Sequence, residues 1–235
     1  MIRRFYSEVT VTGQPGGWQV MLDTRGVKTV GYAPQLLPTR SLAEALAAEW
    51  RGQGEKIDPA SLPLRDMADY AIDIVARDPQ ACAEGLLAYA ETDTLCYRAD
   101  PDEPLHARQQ TLWEPLLAGF EAANGVTFTR VSGVLHRPQP PATLSTLRAR
   151  MLTLSPFELA GLEAMTKLAA SLTIGLAALD AAQEQEPLAL WQAACLEEEW
   201  QAELWGRDEE AEERRARREA DFLRAAAFAR LARAA

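Results

Sequence analysis

Hydrophobic and polar residues alternate along the first part of the chain, a pattern that is typical of β-strands with one buried face. The alternation runs over Phe5–Thr12 and again over Trp18–Leu22, with the sequence Gly-Gln-Pro-Gly-Gly at 13–17 between them. Two alternating runs joined by glycine and proline predict a β-hairpin. Residues 23–26 predict a second turn, and a further short strand is predicted after it, over Val27–Tyr32.

Helical spacing of apolar residues dominates the rest of the chain. The first predicted helix begins at Thr39 or Ser41, whose hydroxyl groups can cap it, and ends near Arg51. Two glycines and two prolines within 52–63 indicate a linker. The segments that follow are predicted helices at 64–77, 79–90, 104–123, 142–153, 156–168, 171–183, 187–205 and 208–235, and β-prone pieces at 94–98 and 126–134 that are candidates to join the N-terminal sheet.

This organisation predicts an α+β fold with two domains. A small β-rich N-terminal domain with one helix is expected over residues 1–62, and a larger, mainly α-helical domain over 63–235. An apolar fraction of 48% is sufficient for a core. We therefore expect a folded globular protein.

Composition excludes several classes of partner and compartment. The net charge of −10 argues against a nucleic-acid partner, for which a basic surface is expected. No apolar run approaches the length of a bilayer span, and neither a signal core nor a basic amphipathic presequence precedes the first strand. The three cysteines show no Cys-x-x-Cys spacing. These features predict a cytoplasmic protein in a reducing environment, without membrane insertion.

An acidic segment between tryptophans, Leu196–Gly206, is the most unusual part of the chain. If 187–205 is one continuous helix, most of its circumference is apolar, and Glu197 and Glu198 fall on or beside its apolar faces. Glu199 and Glu203 fall on the polar side. Because a carboxylate on an apolar face is costly unless it is paired, Glu197 and Glu198 are predicted to need partners.

Patterns of known catalytic sites are nearly absent. The sequence contains no Gly-x-Gly-x-x-Gly, no Walker-type phosphate loop and no Gly-x-Ser-x-Gly. Glu103-x-x-His106 matches one part of a di-metal carboxylate site, but such sites need a second copy, and Gly133 precedes His136 where a glutamate is required. We therefore predict a binding protein with no cofactor and no metal. The alternatives are a helical metal enzyme using Glu103, His106 and Glu198, or an adaptor for some other protein.

Tryptophans with apolar neighbours at helical spacing are predicted to lie in the core. They are Trp50, Trp113, Trp191, Trp200 and Trp205. Trp50 differs from the others because its short helix is followed by the glycine-containing linker. A tryptophan at such a junction can also anchor a partner.

Five motifs, in the same order along the chain, resemble those of the assembly chaperones that escort the alpha subunit of F-type ATP synthase. The motifs are Arg3–Tyr6, the hairpin residues Leu22–Thr29, the pair Leu37-Pro38-Thr39 and Glu49-Trp50-x-x-Gln53, the string Thr92–Arg98, and the C-terminal signature Leu196–Gly206. Two positions depart from the family pattern: Val30 stands where the family usually has proline, and Trp113-Glu114-Pro115 replaces Trp-Asp-Pro.

The resemblance implies a non-catalytic function on a two-domain fold. Members of this family occupy the apolar surface of the free alpha subunit that the beta subunit later covers, and they are displaced on assembly. An exposed surface of this kind is prone to aggregation. The resemblance thus implies the alpha subunit as partner, no cofactor, a cytoplasmic location in bacteria and the mitochondrial matrix in eukaryotes. We expect a monomer, since a chaperone that takes the place of a missing neighbour need not self-associate.

The family's functionally important acid matches Glu197, and its tryptophan matches Trp50. The residues expected to bind the client or to be otherwise essential are Glu197, Glu198, Trp200, Gln201 and Trp50. Two interpretations of Glu197 stay open. It either pairs with an arginine or lysine of the client or acts within the chaperone, by holding the domains in register or through an internal ion pair with Arg98 or Arg65.

Overall fold

The computed structural model describes residues 2–133 and 135–233. Val134 and Ala235, where two of the predicted segments end, lie outside the described residues. The chain forms two compact units. The first contains the described residues of 1–79, 154–161 and 227–235, and the second contains 80–153 and 162–226.

The predicted hairpin is present in the first unit. Strands β1 (Val9–Gln14) and β2 (Gly17–Leu22) pair antiparallel, with Val9 opposite Leu22 and Gln14 opposite Gly17. The turn is tighter than the sequence indicated, because only Pro15 and Gly16 separate the strands. Gly16 adopts a φ of 93°, which a glycine accommodates without strain.

The strand predicted over Val27–Tyr32 is wrong. The third strand, β3 (Arg25–Gly26), has only two residues, and the chain then turns. The backbone N–H groups of Val30 and Gly31 donate to aspartate side chains instead of to a neighbouring strand. Hydrogen bonds to side-chain carboxylates therefore take the place of the backbone hydrogen bonds that a strand would form here.

Helix α1 (Arg40–Arg51) covers the hairpin and begins where the sequence predicted. Thr39 caps it, with the Thr39 hydroxyl oxygen accepting from the N–H of Leu42 at 3.1 Å. Trp50 is 8% exposed, and its indole meets the ring of Tyr6 edge-on at 5.8 Å between centroids. The core position predicted for Trp50 is thus confirmed, and its indole stabilises the first unit.

The remaining helices follow the predicted order with two differences. The predicted helix 64–77 becomes α2 with a π-helical turn at its end, and the predicted helix 187–205 is divided at Cys195. The bounds are α2 Pro63–Tyr70, the π-helical turn Ala71–Val75, α3 Pro79–Glu91, α4 Pro104–Asn124, α5 Pro141–Met151, α6 Pro156–Ala169, α7 Leu172–Asp180, α8 Glu186–Ala194, α9 Leu196–Trp205 and α10 Glu209–Ala232.

Two short strands form a separate sheet in the second unit. Strands β4 (Tyr97–Arg98) and β5 (Val131–Ser132) pair in parallel, so the expectation that these pieces join the N-terminal sheet is wrong. Helix α4 connects them. Parallel strands are usually connected by a crossover helix, so β4 and β5 can pair with each other without a strand from the N-terminal sheet.

The core of the second unit contains large aromatic side chains. Trp113 on α4 is fully buried and donates its indole N–H to the carbonyl of Ala193 at 2.7 Å. Trp191 packs on Phe222 at 5.3 Å between ring centroids. The α+β class is confirmed, with a three-stranded sheet at the N-terminus and mainly helices after it. Within the described ranges, no helix is both long and apolar enough to cross a bilayer.

Candidate functional site

The acidic segment lies on α9, which begins after a break in the helix. The chain leaves helical geometry at Cys195, so α9 does not continue the register of α8. No residue of α9 is fully buried, and Leu204 and Trp205 are 58% and 79% exposed. The prediction of a continuous helix packed on most sides is therefore wrong, and so is the core role predicted for Trp205.

Three of the four acids of α9 form ion pairs. Glu198, which the helical wheel had placed on an apolar face, is exposed, and Arg218 donates to both of its oxygens at 2.8 and 3.1 Å. The other pairs are Glu199–Arg207, Glu199–Arg215 and Glu203–Arg108. Glu198 and Glu203 are exposed, and exposed pairs contribute little to stability, typically below about 1 kcal/mol. These acids need no further partner.

Glu197 differs from the other three acids. Its side chain is half-buried, and its hydrogen-bond partner is the buried Gln109 of α4, whose amide nitrogen donates to Oε1 at 2.7 Å. Among the described residues of the second unit, no cation lies within ion-pair distance of this carboxylate. Burial raises the pKa of Glu197, and the hydrogen bond from Gln109 opposes the rise.

The internal ion pair considered between Glu197 and Arg98 does not form, because Arg98 pairs with Glu114 at 2.8 Å. The interpretation of Glu197 as one half of an ion pair with Arg98 is therefore wrong. A pairing with Arg65, which belongs to the first unit, stays a prediction.

Glu197 opens onto a surface cleft of about 370 Å³. The cleft is lined by Thr92, Thr94, Tyr97, His136 and Glu197. The hydroxyl of Tyr97 lies 2.9 Å from Nδ1 of His136, in hydrogen-bond contact. The structure thus places the mid-chain string 92–98 and the acid of the C-terminal signature in one cleft.

A buried carboxylate fixes the cleft wall that carries Thr94 and Tyr97. Asp93 is fully buried, and it accepts from the hydroxyl of Ser171 at 2.7 Å and from the N–H groups of Leu95 and Thr173 at 3.1 and 2.9 Å. Burial raises the pKa of Asp93, whereas these hydrogen bonds lower it. Asp93 thereby ties the 92–98 segment to the start of α7.

The remaining predicted site residues do not lie in this cleft. Glu198 and Gln201 line a second cleft of about 410 Å³ between α9 and α10, together with the exposed Trp205. Trp200 is half-buried, and the guanidinium of Arg108 stacks on its ring at 4.5 Å. The five predicted residues therefore lie in different places, and only Glu197 lines the first cleft.

The metal-site alternative finds no support in the geometry. Glu198 is paired with Arg218, and a ring nitrogen of His106 contacts Gln110 at 3.3 Å. Over the described ranges, no three histidine, cysteine or acidic side chains come together as a set that could hold a metal ion. Glu103 and His106 are consequently not assigned a site.

We expect replacement of Trp205 by alanine to change the free energy of unfolding by less than about 0.5 kcal/mol, because the side chain is 79% exposed. Trp200→Ala is the matched substitution on the same helix. It should cost more, about 1 kcal/mol, since that ring is half-buried under Arg108. Urea denaturation of both variants compares the two values, and equal losses would contradict the surface position of Trp205.

Comparisons with known proteins find similar proteins over nearly the whole chain. The model of the ATP12 chaperone protein family matches residues 3–121. Atp12 from Paracoccus denitrificans is 39% identical, with a TM-score of 0.93 over 99% of both chains, and a variant of that protein matches equally well. A protein from Agrobacterium tumefaciens that is assigned a chaperone role is 37% identical, with a TM-score of 0.89 over 97% of this chain and 84% of its own. The chain therefore belongs to the ATP12 family of chaperone proteins.

Proposed function

We propose that this chain is an assembly chaperone for F-type ATP synthase that binds the unassembled alpha subunit. It covers the apolar surface of alpha that later faces beta, and it is released when beta takes that surface. Membership of a chaperone family supports the role, as does a sequence without a catalytic pattern. The observation that carries the proposal is the half-buried Glu197 carboxylate, which faces an open cleft and pairs with no cation among the described residues of its own unit.

The cleft around Glu197 is suited to receive an arginine or lysine side chain of the client. A partly desolvated carboxylate is stabilised most by a cation that donates hydrogen bonds to it. Gln109 already holds one carboxylate oxygen, which fixes the orientation of the side chain. Thr92, Thr94 and Tyr97 line the same cleft, and hydroxyl oxygens such as theirs can accept the remaining N–H groups of a guanidinium.

The role proposed for Trp50 is indirect. Its indole lies in the core of the first unit, and the hydroxyl of Tyr6 donates to its carbonyl at 2.7 Å. Trp50 is then essential because it holds α1 on the hairpin. Glu198, Trp200 and Gln201 remain proposed contacts on the outer surface of α9, separate from the Glu197 cleft.

Co-expression of the alpha subunit with and without this chain, in cells that lack beta, tests the function. We expect alpha to be mostly insoluble alone and mostly soluble with the chaperone, in a complex that purifies without beta. Addition of purified beta should then release the chaperone. An unchanged soluble fraction of alpha, or equal rescue of beta expressed alone, would contradict the proposal.

A further inference from the structure

A tight turn in the first unit presents two large apolar side chains to solvent. Within the turn 29–33, the N–H of Thr29 donates to the carbonyl of Ala33 at 2.8 Å, and the N–H of Tyr32 donates to the carbonyl of Thr29 at 2.9 Å. Tyr32 adopts a φ of 66°, in the left-handed region that bulky residues avoid. Strain of this kind persists only where surrounding contacts hold the backbone in place.

Two aspartates hold this turn against the end of α2. Asp73 accepts from the hydroxyl of Thr29 at 2.9 Å and from the N–H of Gly31 at 2.8 Å, and Asp69 accepts from the N–H of Val30 at 3.2 Å. A Cβ atom added to Gly31 would lie 2.8 Å from the Asp73 carboxyl group, so a side chain at this position would displace the contact. The turn is consequently rigid before any partner arrives.

Exposed apolar side chains lie in this turn and directly after the two aspartates that hold it. Val30 is 73% exposed and Tyr32 83%, and Ile74, which follows Asp73 in the π-helical turn, is 55% exposed. Tyr70, which follows Asp69, is 38% exposed. We call Val30, Tyr32, Tyr70 and Ile74 the turn patch. Exposed hydrophobic residues on a strained, pre-formed turn and on the helical segment that holds it are typical of a contact surface.

The chemistry of the turn patch indicates what it binds. All four of its side chains are uncharged, and the carboxylates of Asp69 and Asp73 beside them are engaged in hydrogen bonds with the turn. A second copy of the chain fits poorly. Each copy carries a net charge of −10, and four side chains fall far short of the roughly 20–30 residues per side of a stable interface.

We infer that the turn patch docks an uncharged apolar segment of the client, as an anchor on the first unit in addition to the Glu197 cleft on the second. This inference rests on the proposed function, because the client is the alpha subunit. A rigid turn loses little conformational entropy on binding, and tyrosine is among the residues that contribute most at interface centres.

Purified full-length chaperone and the free alpha subunit test the inference in a binding titration. The triple variant Val30→Ser, Tyr32→Asn, Ile74→Ser removes three of the four apolar side chains of the turn patch, and asparagine tolerates the left-handed backbone at position 32. We expect binding to alpha to weaken at least tenfold, with an unchanged thermal midpoint. The single variant Ile74→Glu, which leaves the strained turn intact, should weaken binding in the same direction, because it places a charge in an apolar contact.

Ile2→Ser is the matched control, since Ile2 is also in the first unit and is 69% exposed, but it lies outside the patch. It should bind alpha like wild type. If wild type itself does not bind alpha, the proposed function fails. If wild type binds and both patch variants bind equally well, the function stands and this inference is overturned. Wild-type dimers that the triple variant abolishes, with unchanged alpha binding, would also overturn it.

Discussion

Replacement of Glu197 by glutamine is expected to remove most of the capacity to keep the alpha subunit soluble, without lowering the thermal midpoint of the chaperone. Glutamine keeps the shape of the side chain and an oxygen that accepts from Gln109, so the local contact survives. What it loses is the charge that would pair with a client cation. Loss of one partner of a desolvated ion pair costs about 3 kcal/mol, which weakens binding roughly a hundredfold.

The difference in stability between wild type and the Glu197→Gln variant should depend on pH in a direction set by the raised pKa of Glu197 in wild type. A folded-state pKa above the unfolded value of about 4.3 favours folding while the acid is protonated, and this contribution is lost as pH rises through the folded pKa. Wild type should therefore equal the glutamine variant near pH 4. At neutral pH the variant should melt at the same or a higher temperature.

Glu203→Gln is the control for the Glu197 variant. Glu203 lies on the same helix, but it is exposed and paired with Arg108 at 2.8 Å. It should protect alpha like wild type in a light-scattering assay of alpha aggregation. A Glu197→Gln protein that protects alpha fully would exclude the cleft as a cation-binding site. A marked fall in its thermal midpoint at neutral pH would instead show that the carboxylate acts within the chaperone.

Local signals predicted most of the helices because their determinants lie within a few residues. Thr39 caps α1 as expected, and Pro63, Pro104, Pro141 and Pro156 each lie at the first position of a helix. The break at Cys195 had no such signal, since neither glycine nor proline stands there. Its consequence was large, because a change of register moved Trp205 from the predicted core to the surface.

The candidate site could be predicted only in part. Glu197 was identified from its helix position and from the family motif, but the helical wheel did not distinguish its environment from that of Glu198. The distinction depends on α4 and α10, which supply Gln109 to one acid and Arg218 to the other. Nothing in the sequence indicated that His136 lies near Glu197. Contacts between segments 60 residues or more apart do not produce a periodic pattern of hydrophobic residues.

The same limit explains why a strand was wrongly predicted over Val27–Tyr32. The segment has β-prone residues, and a strand requires only a neighbour for its backbone groups. Asp69 and Asp73, about 40 residues further on, supply acceptors that hold a turn instead. Their spacing of four on a helix places both carboxylates on one face, which becomes informative only once the turn is known to lie against it.

Replacement of Asp93 by alanine is expected to destabilise the second unit by about 3 kcal/mol. The substitution leaves the Ser171 hydroxyl and two buried N–H groups, those of Leu95 and Thr173, without their acceptor. Each buried donor left unsatisfied costs about 1–3 kcal/mol. For a protein of this size, a loss of about 3 kcal/mol corresponds to a fall of about 6–12 °C in the thermal midpoint, measured by circular dichroism.

Two further variants separate the buried carboxylate from a general effect of removing an acid. Asp102→Ala removes an exposed acid of the same region and should melt like wild type. Asp93→Asn keeps one oxygen for Leu95 and Ser171 but turns an amide towards the N–H of Thr173, so its loss should be intermediate. An Asp93→Ala protein within about 1 kcal/mol of wild type would show that water replaces the lost acceptors. In that case Asp93 would not be what holds Thr94 and Tyr97 in the wall of the Glu197 cleft.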